Sequence, residues 1–217
     1  MKTMPIALAV LFTTVITGWF NLSEALPLPL ALLVGAAWGV AVGLVGTRLR
    51  STRPWLEDAF IYLGTVGFAF AGCGGLMAIL LLDGALDSSS LTGETLESTF
   101  LPSIPYYIVA NGILETLIIP GVVVFSWRPG ARRILVLIAS ALYFAMRVWT
   151  YLAFVPARLG WAESDHSAAP MTPAERRQAA DALMLDDPRW VLLVAMFAIF
   201  LFAAYKRPAP MVTALST

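Results

Sequence analysis

Six apolar stretches, each close to the length of a bilayer-spanning helix, most constrain how this chain of 217 residues folds. A helix needs about 20 apolar residues to cross the hydrocarbon core of a membrane. The stretches, called segments one to six below, cover about 4–21, 27–48, 58–82, 103–127, 131–155 and 189–205. The sixth is short, but Trp190 and Tyr205 bracket it as interfacial anchors would. The pattern predicts an all-α integral membrane protein, a six-transmembrane-helix bundle forming a single polytopic membrane domain over 1–217.

Composition supports a membrane protein and excludes several other classes. The chain is 59% hydrophobic and 13% charged, whereas soluble domains carry about 25% charged residues. A net charge of +0 provides no basic field, so we expect no nucleic-acid partner. Cys73 and His166 are the single cysteine and the single histidine. Because haem, di-iron and most zinc sites need clustered His or Cys ligands, we expect neither a metal nor a cofactor.

Lysine and arginine in the connections predict the topology, since such residues are enriched on the cytoplasmic side. Nine fall on one side, and four fall in one long connection on the other: Lys2, Arg48, Arg50, Arg53, Arg128, Arg132, Arg133, Lys206 and Arg207, against Arg158, Arg176, Arg177 and Arg189. Both termini are therefore predicted to be cytoplasmic, in a multi-pass protein of the cell membrane, specifically a bacterial inner membrane. Lys2, segment one and the small residues at 23–25 also fit a signal peptide, but we expect the segment to be retained as a helix.

The two long connections on the outer side give different predictions. Residues 83–102, with "DSSSLTGETLES", are acidic and rich in Ser and Thr, and we expect them to be irregular or mobile. Within 156–188, Thr172, Pro173 and Glu175 form the pattern of a capping box with proline at the first helical position. A short outer-surface helix is therefore predicted at about 173–184, between segments five and six. It would be either a solvated helix without a role or a lid over an outward-facing cavity.

Small residues form a stripe on each of two neighbouring segments. In segment two they recur every fourth position, and in segment three they follow one face: Ala31, Gly35, Gly39, Gly43 and Thr47, then Gly64, Gly67, Ala71, Gly74 and Ala78. Helices in lipid associate through close backbone contact at small residues. We therefore expect segments two and three to pack tightly against each other.

Segments four and five each carry polar side chains at four-residue spacing, which places them on one helix face. They are Tyr107, Asn111 and Glu115 in segment four, and Tyr143, Arg147 and Tyr151 in segment five. If the short connection turns at about 129 or 130, residue 107 lies level with 152, 111 with 148 and 115 with 144. Glu115 would then lie within one helical turn of Arg147. Pro120 should also kink segment four, because it cannot donate to the carbonyl of Thr116.

A buried Glu115–Arg147 pair admits a structural and a functional interpretation. An unpaired charge at the bilayer centre costs at least about 2.5–3.5 kcal/mol, so the pair could serve only to fix helix pairing. Alternatively, the residues line a small polar pocket between segments four and five that binds a lipophilic or small anionic ligand. Tyr107, Asn111, Arg147 and Tyr151 would then be the ligand-binding residues.

The polar stripe leaves three classes of function open. The first is a metal-independent enzyme of isomerase, cyclase or hydratase type, with Glu115 as general acid or base and Tyr143 as proton donor. The second is a ligand-binding subunit of a transporter. The third is an accessory or assembly subunit of a larger membrane complex, which would contact partner subunits and catalyse nothing. The residues do not decide whether the chain is an enzyme, and its expected partners are the lipid bilayer, the ligand and such subunits.

Overall fold

The computed structural model describes residues 3–20 and 26–206, and this part of the chain is helical, without a β-strand. Its elements are α1 (Met4–Phe20), α2 (Leu28–Thr52), α3 (Trp55–Leu86), α4 (Gly93–Phe100), α5 (Ser103–Ile113), a first π-helical turn (Leu114–Ile118), α6 (Ile119–Phe125), α7 (Ala131–Trp149), a second π-helical turn (Thr150–Phe154), α8 (Val155–Ala162), α9 (Pro173–Ala182) and α10 (Arg189–Tyr205). Lys2, residues 23–25 and Arg207, which bear on the predicted topology and on the signal-peptide alternative, lie outside the described residues.

Four helical stretches are long and apolar enough to cross a membrane, and they correspond to segments two to five. They are Leu28–Thr52, Trp55–Leu86, Gly93–Phe125 and Ala131–Ala162. Segments one and six also form helices, but α1 and α10 have 17 residues each. At 1.5 Å per residue, 17 residues extend about 25 Å, a little less than the roughly 30 Å of hydrocarbon in a bilayer. An all-helical protein with four candidate membrane-spanning helices is therefore established.

The chain divides into two compact units. The first comprises the described residues up to Thr65, Glu115–Ala141 and those from Phe197 onward. The second comprises Val66–Leu114 and Leu142–Met196. Each unit has its own packing, described separately below.

In the first unit, the small-residue stripe of α2 packs against α1. A Cβ atom on Gly39 would lie 2.5 Å from the Cα of Val10, and one on Gly35 would lie 2.6 Å from the carbonyl oxygen of Thr13. The hydroxyl of Thr13 also donates to the carbonyl oxygen of Gly35 over 2.7 Å. Segment three was predicted to be the neighbour of this stripe, and that prediction was wrong, because α1 occupies the glycine face.

The glycines of α3 likewise lie against helices other than α2. In the first unit a Cβ on Gly64 would meet the ring of Phe200 in α10, with Cζ at 3.2 Å. In the second unit a Cβ on Gly74 would lie 2.5 Å from Cε1 of Tyr106 in α5. The Tyr106 hydroxyl donates to the carbonyl oxygen of Phe70 over 2.6 Å. Glycine in α3 thus makes room for aromatic rings rather than for the backbone of α2.

Replacing Gly39 with leucine should prevent assembly of the first unit. Even flexible cores lose roughly 1–3 kcal/mol on overpacking, and here the obstructing atoms belong to the backbone of Val10. We expect Gly39→Leu to yield little folded protein by size-exclusion chromatography in detergent. Gly84→Leu is the matched control, because a Cβ on Gly84 meets no described atom within 4 Å. Wild-type yield and melting temperature for Gly39→Leu would show that α1 does not pack there.

The first unit also contains an ion-pair group centred on Arg132, near the start of α7, in which Arg132 and Glu57 are buried and the Asp58 side chain is about half exposed. Its Nη1 atom lies 2.7 Å from Oδ1 of Asp58 and 3.6 Å from Oε1 of Glu57, both in the first turn of α3. Its Nε atom donates to the carbonyl oxygen of Ala203 over 3.1 Å, and Nη2 donates to that of Ala204 over 3.4 Å. Arg132 therefore joins the start of α3 and the start of α7 to the end of α10.

In the second unit, the connection predicted to be irregular is mostly helical. Helix α3 continues to Leu86, and α4 begins at Gly93 after an N-cap at Thr92, whose side chain accepts a hydrogen bond from the Thr95 amide over 3.1 Å. The reason is burial. Apolar residues of this stretch join a core cluster with residues of α3 and α9: Leu82, Leu86, Leu91, Leu96, Phe100, Ala179 and Leu183.

The short helix predicted at about 173–184 is confirmed as α9, Pro173–Ala182. Thr172 and Glu175 form the predicted capping box, and hydrogen bonds from Thr172 lower the pKa of the Glu175 carboxyl group. The helix packs on the same core cluster through Ala179. Nη1 of Arg176 donates to the carbonyl oxygens of Leu86, Asp87 and Ser88, and so caps the carboxyl end of α3.

Candidate functional site

Three of the predicted site residues form a polar group in the second unit, in which Asn111 and Tyr143 are buried and Tyr107 is partly buried. The Tyr143 hydroxyl donates to Oδ1 of Asn111 over 3.4 Å, and Nδ2 of Asn111 donates to the carbonyl oxygen of Tyr107 over 2.9 Å. Tyr143 is 0% exposed. The ring of Phe68 in α3 packs edge-on against Tyr143, with centroids 5.3 Å apart. These contacts fix Asn111 with one amide oxygen directed at the Tyr143 hydroxyl.

Asn111 was predicted to lie level with residue 148 of segment five. In the structure it contacts Tyr143, which is about one helical turn away from that position. Helix α6 ends at Phe125 and α7 begins at Ala131, so the connection is centred on Arg128 rather than at 129 or 130. The π-helical turn over Leu114–Ile118 has wider hydrogen-bond spacing than a regular α-helical turn, and this also changes the register of segment four relative to segment five. The predicted register is therefore wrong, although segments four and five do bring their polar residues together.

Tyr107 and Gly74 connect this group to α3. The Tyr107 hydroxyl lies 3.5 Å from the carbonyl oxygen of Gly74, at the limit of a hydrogen bond. Its ring packs edge-on against that of Tyr106, with centroids 5.3 Å apart. Tyr107 is thus placed beside the glycine face of α3.

Arg147 and Tyr151 also lie in the second unit and contact each other. The Cζ atom of Arg147 lies 4.6 Å from the centroid of the Tyr151 ring, and both residues are buried. A cation held over an aromatic ring gains up to about 2 kcal/mol when both are desolvated. Tyr151 belongs to the second π-helical turn, directly after α7.

Glu115 belongs to the first unit, whereas the other five predicted site residues belong to the second. It is 1% exposed and lies in the first π-helical turn, Leu114–Ile118. A carboxylate buried to this degree needs a partner or a changed protonation state. The predicted pairing of Glu115 with Arg147 stays a prediction.

Pro120 has the predicted effect on hydrogen bonding, but the helix accommodates it by a π-helical turn. Because proline has no amide hydrogen, it cannot donate to the carbonyl of Thr116 four residues earlier. The indole Nε1 of Trp38, in α2, donates to that carbonyl oxygen over 2.6 Å. A side chain of the first unit thus supplies a donor where the backbone lacks one, directly beside Glu115.

A second π-helical turn has the same relation to a second proline. The turns end at Ile118 and Phe154, two residues before Pro120 and Pro156. π-Helical turns are rare in proteins overall, and those that occur often lie at functional sites. Pro120 is recognisable in the sequence as a break in the helix, and Pro156, in "LAFVPARLG", carries the same signal, although no effect was predicted for it.

Two arginines assigned to an outer connection from the sequence are instead part of a buried cluster in the second unit. Arg158 lies in α8 and Arg189 begins α10. Their Cζ atoms lie 4.2 Å and 3.1 Å from the centroid of the Phe154 ring. The spacing of Arg147, Tyr151, Phe154 and Arg158 follows one helix face. This continuation of the polar stripe could have been found from the sequence.

The two cations are stabilised differently. Arg189 pairs with the buried carboxylate of Asp187 through Nε, and its Nη1 atom lies 2.9 Å from the Thr150 hydroxyl. Arg158 donates from Nε to the carbonyl oxygen of Leu183 over 2.9 Å and lies over the ring of Phe100. Arg158 and Arg189 lie against the same ring and repel each other electrostatically, because both carry a positive charge. The cluster therefore favours a negative charge beside it.

Neither similarity to known proteins nor a group of metal ligands in the described residues indicates the chemistry of this site. Comparisons with protein-family models, curated proteins and solved structures give no match for the chain. In the described part of the chain, no group of three or more His, Cys, Asp or Glu side chains could hold a metal ion. The side chains present can donate hydrogen bonds, attract anions and exchange protons.

Proposed function

We propose that this chain is a multi-pass membrane protein whose second unit binds a small ligand with an anionic or strongly polar group and a lipophilic body. The observation that carries the proposal is the polar group formed by Tyr107, Asn111 and Tyr143, together with buried Arg147. Buried polar side chains in the apolar helices of a membrane protein are costly and commonly mark ligand or ion sites. Tyr143 and Asn111 would hydrogen-bond the polar group, and Arg147 would attract a negative charge.

The proposal includes an enzymatic role. Glu115, a buried residue of the first unit, would act as general acid or base. Tyr143 would donate a proton, and Arg147 would stabilise a developing oxyanion. Isomerisation, cyclisation and hydration require no more than these groups. The alternatives are a ligand-binding subunit of a transporter and an accessory subunit without catalysis.

Ligand retention tests the proposal. We expect native mass spectrometry of the purified wild-type protein to detect a bound small molecule that is lost in Asn111→Leu, because leucine removes the amide that bonds Tyr143. Gln178→Leu is a matched control, since position 178 lies on α9, away from the polar group. Identical spectra from wild type and Asn111→Leu, with both proteins folded, would favour the accessory subunit.

We also propose that α1 and α10 cross the bilayer with the four long helices, with both termini cytoplasmic in a bacterial inner membrane. Support comes from the charges. Arg158 is buried and Arg189 is paired with Asp187, so fewer unpaired, exposed cations remain on the proposed outer side than the sequence suggested. A reporter fused after Arg133 should be cytoplasmic, and one fused after Ser89 should be external. The opposite labelling at both positions would invert the topology.

A further inference from the structure

Arg158 is a buried cation that forms no direct ion pair with a carboxylate within the described part of the chain. It is 6% exposed, and its hydrogen bond goes from Nε to the carbonyl oxygen of Leu183. Its guanidinium lies over the rings of Phe100 and Phe154, and Tyr107 and Asp187 interact with it electrostatically at longer range. Among the described residues, the two Nη atoms donate to no acceptor. A buried guanidinium that retains this donor edge can bind a further group.

Arg189 adds a second positive charge beside Arg158 and so favours binding of an anion. It lies against the same Phe154 ring and interacts electrostatically with both Arg158 and Arg147. Asp187 neutralises one of these charges by pairing with Arg189. Asp187 also accepts a hydrogen bond from the backbone amide of Arg189 over 3.1 Å, so it is committed to the start of α10. Asp187 is thus paired with Arg189, and Arg158 has no directly paired carboxylate among the described residues.

We propose that Arg158, with Arg189 beside it, binds a phosphate group, either in the headgroup of an anionic phospholipid or as free phosphate. The planar guanidinium presents paired N–H donors that match two phosphate oxygens. Because Nε is occupied by Leu183, the Nη edge is the one that faces the phosphate. Nothing in this arrangement requires a metal.

The surroundings of Arg158 suit a lipid headgroup. Arg158 lies near the end of the long apolar stretch Ala131–Ala162, and Arg189 lies at the start of α10. Trp161 packs edge-on against Phe100, with centroids 6.1 Å apart. Tryptophan is enriched at the depth of lipid headgroups, and basic sites between helices bind anionic headgroups.

The phosphate site and the proposed ligand site use different side chains. The phosphate is bound by Arg158 and Arg189, whereas the ligand is bound by Tyr107, Asn111, Tyr143 and Arg147. Tyr107 interacts electrostatically with both arginines without belonging to the phosphate site. Loss of phosphate binding in an Arg158 variant should leave retention of the small molecule unchanged. Each proposal can therefore fail without the other.

Two binding measurements on the full chain test the phosphate site. The first is native mass spectrometry after reconstitution in mixed phosphatidylglycerol and phosphatidylcholine. The second is the melting temperature in detergent with added phosphatidylglycerol or inorganic phosphate, against sodium chloride of equal ionic strength. The variants are Arg158→Gln, which removes the charge, and Arg158→Lys, which keeps the charge but loses the paired donors. Arg177→Gln is the control, because Arg177 is exposed and its Nε atom bonds only within α9, to Pro173, among the described residues.

We expect wild type and Arg177→Gln to retain phosphatidylglycerol preferentially, and Arg158→Gln to lose that preference by about tenfold or more, as removal of a charge-assisted pair implies. Stabilisation by phosphatidylglycerol alone would assign a lipid headgroup, and stabilisation by inorganic phosphate would assign the free anion. If Arg158→Gln does not fold, a reduced preference in Arg158→Lys supports the same site. The proposal is overturned if wild type prefers neither form of phosphate, or if a folded Arg158 variant keeps the full preference.

Discussion

Arg132→Met is expected to lower the free energy of unfolding by about 3–5 kcal/mol, the range for breaking a buried ion pair by removing one partner. Glu57 is buried, so the substitution would leave its carboxylate without the cation 3.6 Å away. The carbonyl oxygens of Ala203 and Ala204 would also lose their donor. Unfolding in sodium dodecyl sulfate, followed by circular dichroism, measures the effect.

Arg48→Met is the control for Arg132→Met, because Arg48 is an exposed cation of the same unit. It should change the unfolding free energy by less than about 0.5 kcal/mol. Adding Glu57→Gln to Arg132→Met should recover part of the loss, since the stranded charge disappears. Equal effects of Arg48→Met and Arg132→Met would mean that the ion-pair group does not hold these helix ends together.

Glu115 and Arg147 are expected to be coupled, with Glu115→Gln and Arg147→Met each costing roughly 3–5 kcal/mol. If the proposed pair forms, either substitution should leave the other buried residue, at 1% or 6% exposure, without that partner. The double variant should cost less than the sum of the single variants, because removing both charges removes the stranded one. The same unfolding measurement, applied to all four proteins, gives the coupling energy.

The double variant also distinguishes a structural from a functional pair. If the residues serve the ligand, Glu115→Gln with Arg147→Met should fold but should not retain the small molecule. If they only fix helix pairing, the double variant should fold and retain it. Strict additivity across the four proteins would mean that the two residues do not interact, and the enzymatic role of Glu115 would lose its basis.

The features predicted correctly from the sequence depend on local patterns. Four long apolar segments became four long helices, because the length of an apolar stretch is sufficient evidence for such a helix. Helix α9 followed from Thr172 and Glu175, whose capping box depends on residues three positions apart. Both signals can be read without knowing which helices are neighbours.

The features predicted incorrectly depend on which helices meet. Glycine stripes on segments two and three indicated close contacts but did not identify α1 or Phe200 as the neighbours. Residues 83–102 were judged by their Ser and Thr content, although Leu96 and Phe100 carried the signal for a buried helix. Arg158 was assigned to a connection because segment five was ended at about 155, whereas the helical stretch continues through Pro156 as α8.

The proposed ligand site is tested most directly by a cryo-electron microscopy map of the wild-type protein in lipid nanodiscs, at a resolution that shows side chains. The decisive region lies beside the Tyr143 hydroxyl and the Arg147 guanidinium, which the structure places in the second unit. We predict density for a non-protein molecule there, within hydrogen-bond distance of Asn111 or Tyr143. A dry region in which protein side chains alone fill the space around Arg147 would contradict the proposal and favour an accessory subunit.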